Sequence, residues 1–232
     1  MSMAYRSSSK SPGEATKIRK PLTSRGIAPF YSQRPQVAVV NTYNEMHPGH
    51  IHLRTLAEQG AVIKQVAVKE SLWHFVGKAR VFNCEEEALL ALGIKQIDKG
   101  DIIVIRYEGP KGGPGMREMA MFRVALELAG LGETNYIVTD GRFSGYTEGA
   151  SIGYLSPEAA EGGTIALVQN GDTIEIDIEN RKLDLKVSDQ ELKQRREKRV
   201  PPLKKYPRGY LDIYGKIVSS AAQGAVIPKN AK

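Results

Sequence analysis

Two loops of this chain hold the residue types from which an active site is built. The first, Tyr107-Glu108-Gly109-Pro110-Lys111-Gly112-Gly113-Pro114-Gly115-Met116, packs four glycines and two prolines into ten residues just ahead of a helix. Such a stretch fixes a non-regular backbone and presents N–H groups, so an anionic group can be held there. Glu108 adds a hard carboxylate oxygen suited to a divalent cation. A tight turn with a surface glutamate accounts for the same residues equally well. The second loop, Asp140-Gly141-Arg142-Phe143-Ser144-Gly145, sets a serine between an aromatic residue and a glycine. Exposed nucleophiles occupy such places, yet the first glycine lies three residues before Ser144, which is not the Gly-x-Ser-x-Gly elbow of hydrolases. A Ser-His-Asp triad has little support, since all four histidines lie at or before position 74.

Two further groups come into question. His47, His50 and His52 cluster around Pro48-Gly49, and neutral imidazole is a common metal ligand, but Glu45 is the one acid beside them. Cys84 is the single cysteine, which rules out an internal disulfide framework and falls short of the thiolates that an iron–sulfur cluster or structural zinc takes. Its surroundings, Asn83-Cys84-Glu85-Glu86-Glu87, suit a helix start with Asn83 as N-cap and Glu86 at the third helical position. Cys84 is accordingly read as structural.

The elements that must carry the loops follow from apolar spacing. Residues 102–105 are a fully apolar run of the buried-strand kind, and residues 136–139 form the strand that delivers Asp140. Between them Met119, Phe122, Leu126 and Ala129 recur at three and four, predicting an amphipathic helix ended by Gly130. Upstream, residues 37–41, 61–68 and 76–82 read as strands, and residues 51–59 and 85–92 as short helices, the latter with Leu89 and Leu92 inward. Downstream, strands are expected at 164–168, 173–178 and 182–187, with turns at Asn170-Gly171 and Asn180-Arg181. Ser188 followed by Glu191 opens a capped helix, and a last helix is expected over residues 210–222.

The two loops together with Ser156-Pro157-Glu158-Ala159-Ala160-Glu161-Gly162-Gly163 resemble, in this order, the C-terminal domain of the dihydroxy-acid dehydratase and phosphogluconate dehydratase family. The resemblance extends from about Gly60, where Gly60-Ala61-Val62-Ile63-Lys64 looks like the entry to that domain, to Val218-Ser219-Ser220-Ala221. Separately, Val39-Val40-Asn41-Thr42-Tyr43-Asn44-Glu45-Met46-His47-Pro48-Gly49-His50-Ile51-His52-Leu53 looks like the start of the family's N-terminal domain. The long central region that the family has between these matches is missing, the chain passing from one to the other around residues 56–59.

The resemblance implies dehydration of a 2,3-dihydroxy acid to a 2-keto acid. An iron–sulfur cluster acts on the departing C3 hydroxyl, and Mg²⁺ holds the substrate's carboxylate and C2 oxygen. It implies Ser144 as the alkoxide base that removes the C2 proton, and Glu108 as a magnesium ligand. A serine can be a base only where cations hold down its pKa, and Mg²⁺ prefers carboxylate oxygen. The cluster cysteines belong largely to the missing region, and where some members have a ligating cysteine after the proline this chain has Gly49. The cluster ligands are therefore not present in this chain. The implied activity is dihydroxy-acid dehydratase of branched-chain amino-acid biosynthesis, with an aldonic-acid dehydratase as the alternative. A non-catalytic, internally deleted dehydratase that only binds is the third reading. The expected fold is α/β: a C-terminal swivelling β-barrel-like domain flanked by helices, preceded by a remnant of an N-terminal α/β domain.

Composition agrees with a folded chain of ordinary kind. Apolar residues make up 41% and charged residues 25% of 232, and no apolar run reaches the roughly 18 residues of a membrane span. The net charge of +7 is concentrated at the ends: residues 1–36 carry seven basic residues against one acid, and residues 193–232 eleven against two. These runs have little aromatic interleaving and match no nucleic-acid reader, so they read as solvated tails and nucleic acid is not the expected partner. A small hydroxy-acid substrate and a homo-oligomer are expected instead. With no secretory h-region at the N-terminus, a cytoplasmic location is expected, an organellar transit peptide being the alternative. The expected division is a disordered basic arm over 1–36, an N-terminal-domain remnant over 37–59 and the C-terminal domain with its basic tail over 60–232.

Overall fold

The computed structural model describes residues 38–40, 60–144 and 147–228. The basic arm, the histidines at 47, 50 and 52, and the helix expected over 51–59 lie outside the described residues. Eight strands form one sheet: β1 (Ala38–Val40), β2 (Gly60–Ile63), β3 (His74–Phe82), β4 (Asp101–Ile105), β5 (Tyr136–Thr139), β6 (Ser151–Ser156), β7 (Thr173–Asp177) and β8 (Lys182–Leu185), in the order β1-β2-β6-β5-β4-β3-β7-β8. The central four, β6, β5, β4 and β3, run parallel, and antiparallel pairs extend the sheet on both sides. Four α-helices accompany it: α1 (Glu85–Gly93), α2 (Ala120–Leu128), α3 (Asp189–Lys198) and α4 (Tyr210–Ile217).

The parallel strands are buried on both faces, which is why they read as continuous apolar runs. Successive side chains alternate: Ile103, Ile105 and Ile137 join Ala88, Ala91, Phe122 and Leu126 under α1 and α2, while Ile102, Val104, Tyr136 and Val138 face the other way. That second cluster also contains Ala61 and Ile63 from β2 and Leu183 and Leu185 from β8. Strands so far apart in the order share a core only because the twisted sheet curls around it, as a barrel-like sheet does.

Several expectations need correction. Residues 61–68 are not one strand: β2 ends at Ile63, and a 3-10 turn over Gln65–Ala67 follows, where Gly149 N–H donates to the Ala67 carbonyl at 3.0 Å. Residues 164–168 are not a strand either but a buried 3-10 turn, Thr164–Leu167. Arginines take over the work of a ladder there: Arg106 Nη1 donates to the carbonyls of Ala166 and Val168 at 2.8 and 3.0 Å, and Arg195 Nη1 to Leu167 at 3.1 Å. A buried apolar run has no periodicity to distinguish these outcomes. Conversely β6, with its interior Gly153, is a strand that the apolar pattern does not announce.

The N-cap of α1 is Cys84 rather than Asn83, so the helix starts one residue later. Asn83 is engaged elsewhere: its Oδ1 accepts from Arg106 Nε at 2.8 Å and its N–H donates to Glu87 Oε2 at 2.7 Å. Ala88 and Ala91 face inward from this helix, and Leu89 and Leu92 only flank them. The fourth position expected on the α2 face, Ala129, is an exposed C-cap, and Gly130 at φ 74° ends the helix as expected. Ser188 does cap α3, accepting from Glu191 N–H at 3.2 Å. The last helix stops at Ile217, with a 3-10 turn at Ala221–Gln223.

Candidate active site

All four parallel strands end on the same edge of the sheet, and each hands over to a segment bearing a buried carboxylate. β3 leads to Glu85, β4 to Glu108, β5 to Asp140 and β6 to Glu158. The carboxyl ends of parallel strands are where α/β folds assemble ligand sites, because the loops converge there on a rigid frame.

Glu108 has no exposed surface. Its Oε1 accepts from the Glu85 N–H at 3.0 Å and from Arg117 Nη1 at 3.2 Å, with Lys205 Nζ at 3.6 Å. Its Oε2 is buried and has no hydrogen-bond partner. Burial pushes the carboxyl pKa up, while the Glu85 N–H, Arg117 and Lys205 oppose that shift. Gly113 makes the geometry possible, since a Cβ there would stand 2.7 Å from Oε2 and 2.8 Å from the Glu108 Cα. Arg117 is the hub beside it, reaching Glu86 at 2.7 Å and Glu85 at 3.1 Å as well as Glu108.

Asp140 and Glu158 fasten the loops. Asp140 Oδ1 accepts from Glu108 N–H at 2.9 Å, and Oδ2 from Tyr107 at 3.1 Å and Ala159 at 2.8 Å, so one carboxylate ties together the loops after β4, β5 and β6. Burial raises its pKa, against the pull of those N–H groups. Tyr107 is held at φ 63°, a strained position for a non-glycine residue, by this bond. Glu158, after the cis Ser156–Pro157 peptide, accepts from Lys111 N–H at 2.9 Å and Gly112 N–H at 2.8 Å. Its carboxyl is pushed up to about 7, by burial first and then by the Asp140 charge. The glycine-rich loop thus does cradle an anion, but two of its N–H groups hold the chain's own Glu158.

Ser144 lies on the crossover from β5 to β6, partly buried, with its Oγ 3.5 Å from Thr147 Oγ1. The root of that crossover packs on the Glu108 loop. A Cβ on Gly141 would stand 3.1 Å from the Glu108 Cβ, Arg142 N–H donates to Arg117 O at 3.0 Å, and Met119 N–H to Arg142 O at 3.0 Å. Arg142 Nε also donates to Met116 O at 2.8 Å, and Tyr154 Oη to Phe143 O at 2.9 Å. Ser144 and Glu108 therefore sit on two interlocked loops, with no direct bond between the two side chains among the described residues.

The donor chemistry fits one implied group and not the other. A buried carboxylate oxygen without a donor, as at Glu108, is a suitable ligand for a hard cation such as Mg²⁺. It would be one ligand of several, as no group of three or more metal-binding side chains occurs among the described residues. An iron–sulfur cluster does not fit: Cys84 is the single thiol, and burial together with nearby Glu86 and Glu87 raises its pKa, against thiolate formation. Asp140, Glu158, Glu85 and Arg117 escaped the sequence reading as functional positions. Asp140 and Glu158 lie within the loop motifs, but nothing in their spacing says that their partners are backbone N–H groups of other loops.

A model of the Dihydroxy-acid/6-phosphogluconate dehydratase C-terminal family matches residues 40–225. Among curated relatives, a dihydroxy-acid dehydratase of Clostridium botulinum is 52% identical over 187 residues, 81% of this chain and 34% of the relative. One of Carboxydothermus hydrogenoformans is 50% identical over 200 residues, 85% of this chain and 36% of the relative. One of Pyrococcus furiosus is 52% identical over 187 residues, 79% of this chain and 34% of the relative. The chain spans about a third of the length of the curated relatives it matches. The order of the three loops on one sheet edge and a family match over most of the chain lead to one conclusion: this chain belongs to the dihydroxy-acid/6-phosphogluconate dehydratase family.

Proposed function

We propose that this chain carries the proton-abstraction part of a dihydroxy-acid dehydratase site, acting on a 2,3-dihydroxy acid of branched-chain amino-acid biosynthesis. The observation that carries the reading is Glu108, whose buried Oε2 lacks a donor on a loop interlocked with that of Ser144. Glu108 is the proposed magnesium ligand, and Arg117 fixes its other oxygen. When bound, the cation would polarise the substrate's carboxylate and C2 oxygen and acidify the C2 proton. Ser144 is the proposed base at that proton. Arg142, two residues before it and anchored on Met116 O, holds the loop's root in place. No step is assigned to a cluster, since this chain has one cysteine.

The same reading takes residues 37–59 as a remnant of the family's N-terminal domain and the curled sheet of residues 60–232 as its swivelling domain, in a cytoplasmic homo-oligomer. Among the described residues no helix is long and apolar enough to cross a membrane. The test is fragment complementation. The purified chain is mixed anaerobically with the part of the Clostridium botulinum relative that it does not match, with iron, sulfide and Mg²⁺ added, and keto-acid formation from a branched 2,3-dihydroxy acid is followed. Turnover that requires both pieces supports the proposal. Cluster absorbance in the mixture without keto acid overturns it in favour of a domain that only binds.

A further inference from the structure

A cavity of about 620 Å³ lies between the Thr164–Leu167 turn, α3 and the start of the Glu108 loop. Glu108, Asp140, Ser144 and Glu158 do not line it. Its polar wall is mainly basic: Arg106, Arg195, Lys198 and Arg199 face it together with Glu191, and Leu167 and Val168 lie on the apolar side. Arg195 is neutralised by Asp172, at 2.6 and 3.1 Å, and by Glu191 at 2.9 Å. The other three cations have no carboxylate partner among the described residues.

Arg106 and Arg199 are the telling pair. The side chain of Arg106 donates only to neutral acceptors, Asn83 Oδ1 and the carbonyls of Ile165, Ala166 and Val168. Arg199 Nη2 donates to Ala159 O at 3.2 Å, and its Nε is buried with no partner. Burial lowers the Arg106 pKa; Tyr107, Asp140 and Glu87 oppose that shift without a hydrogen bond to the guanidinium, and the nearby charge of Arg199 adds to it. Buried charge is ordinarily matched by a counter-charge, because desolvating an unpaired ion is costly. Among the described residues neither Arg106 nor Arg199 has a carboxylate within hydrogen-bond reach, and both side chains line the cavity.

We propose that this cavity binds a small organic dianion, its oxyanion between Arg106, Arg199 and Lys198 and its organic body against Leu167 and Val168. Guanidinium forks match planar and tetrahedral oxyanions alike, so a phosphate monoester and a dicarboxylate share the required chemistry. The cavity is far larger than a bare oxyanion and falls within the range of organic-ligand pockets. Tyr107, whose ring lies 5.7 Å from the Arg106 guanidinium carbon, shares this wall and directly precedes Glu108. An occupant would therefore lie one residue from the proposed magnesium ligand without touching it.

The test is calorimetric titration of the full chain with glycerol phosphate, malonate and acetate at low ionic strength. Both dianions should bind and acetate should bind at least about tenfold more weakly, with affinity falling as salt is added. Whichever of the two dianions binds more tightly identifies the oxyanion type. Arg199→Gln should weaken dianion binding about tenfold or more, since a charge-assisted bond is lost. Lys198→Gln, at an exposed position, should weaken it without any change in the melting temperature. Glu108→Gln and Ser144→Ala should leave it unchanged. Equal binding of acetate and the dianions, no binding of any of them, or binding that is insensitive to Arg199→Gln and Lys198→Gln but sensitive to Glu108→Gln, would overturn the proposal.

Discussion

At the scale of single residues, the site edge is a set of buried carboxylates whose environments differ. Glu158 illustrates the consequence for stability. Its folded pKa of about 7 stands above the unfolded glutamate value of about 4.3, so folding takes up a proton between the two. The stabilisation is fully present below the unfolded value and is lost as pH rises through about 7. Asp140, also raised by burial, acts in the same direction. Melting temperature should therefore fall between about pH 5 and about pH 8, Glu158 contributing the equivalent of about 3 kcal/mol, and Glu158→Gln should flatten the fall. A melting temperature that rises over this window would contradict the assignment. Gly113 gives a second residue-scale prediction. Gly113→Ala forces a methyl onto Glu108 and should cost about 1–3 kcal/mol, whereas Gly93→Ala, with nothing within 4 Å, should stabilise by about 0.5 kcal/mol. Urea denaturation of the two variants side by side decides it, and equal effects would refute the crowding at Gly113.

At the scale of elements, α1 and α2 are joined by a side chain rather than by their own caps. The N-cap of α2, Met119, has no capping side chain, and Glu85 from the first turn of α1 accepts from Phe122 N–H at 3.0 Å instead. Glu85→Ala should thus destabilise by about 1–3 kcal/mol, leaving that N–H without its partner and removing one of the three carboxylates on Arg117, as denaturant unfolding would register. A cost near zero would mean that water replaces Glu85. The contrast with α3 explains what the sequence made legible. The Ser188 cap uses residues three apart and could be read directly, as could β4 and β5, whose two-sided burial makes them uniformly apolar. The Glu85 cap joins residues 37 apart, and the bonds of Asp140 span up to 33, so no local pattern encodes them. The turn at Thr164–Leu167 is hidden from local pattern for the same reason, since its carbonyls are satisfied by Arg106 and Arg195 from distant elements. Of the candidate site, the loops of Glu108 and Ser144 stand out in the sequence through their motifs, and the carboxylates that brace those loops do not.

At the scale of the whole molecule, a curled sheet gathers four strand ends and presents Glu108 and Ser144 on interlocked loops at one edge. In the proposed reading that arrangement would supply half of a dehydratase site: a carboxylate oxygen for a hard cation and a hydroxyl for the C2 proton. This chain matches about a third of the length of its relatives and has one cysteine, and the proposed reaction draws on residues from the unmatched part. The measurement that bears most directly on this account is the rate of keto-acid formation in the complemented mixture, with the wild-type chain and with Ser144→Ala. The account predicts turnover with the wild type and a loss of at least about a hundredfold with the variant, the lower end of what a general base contributes, at unchanged melting temperature. Turnover that survives in Ser144→Ala would contradict it.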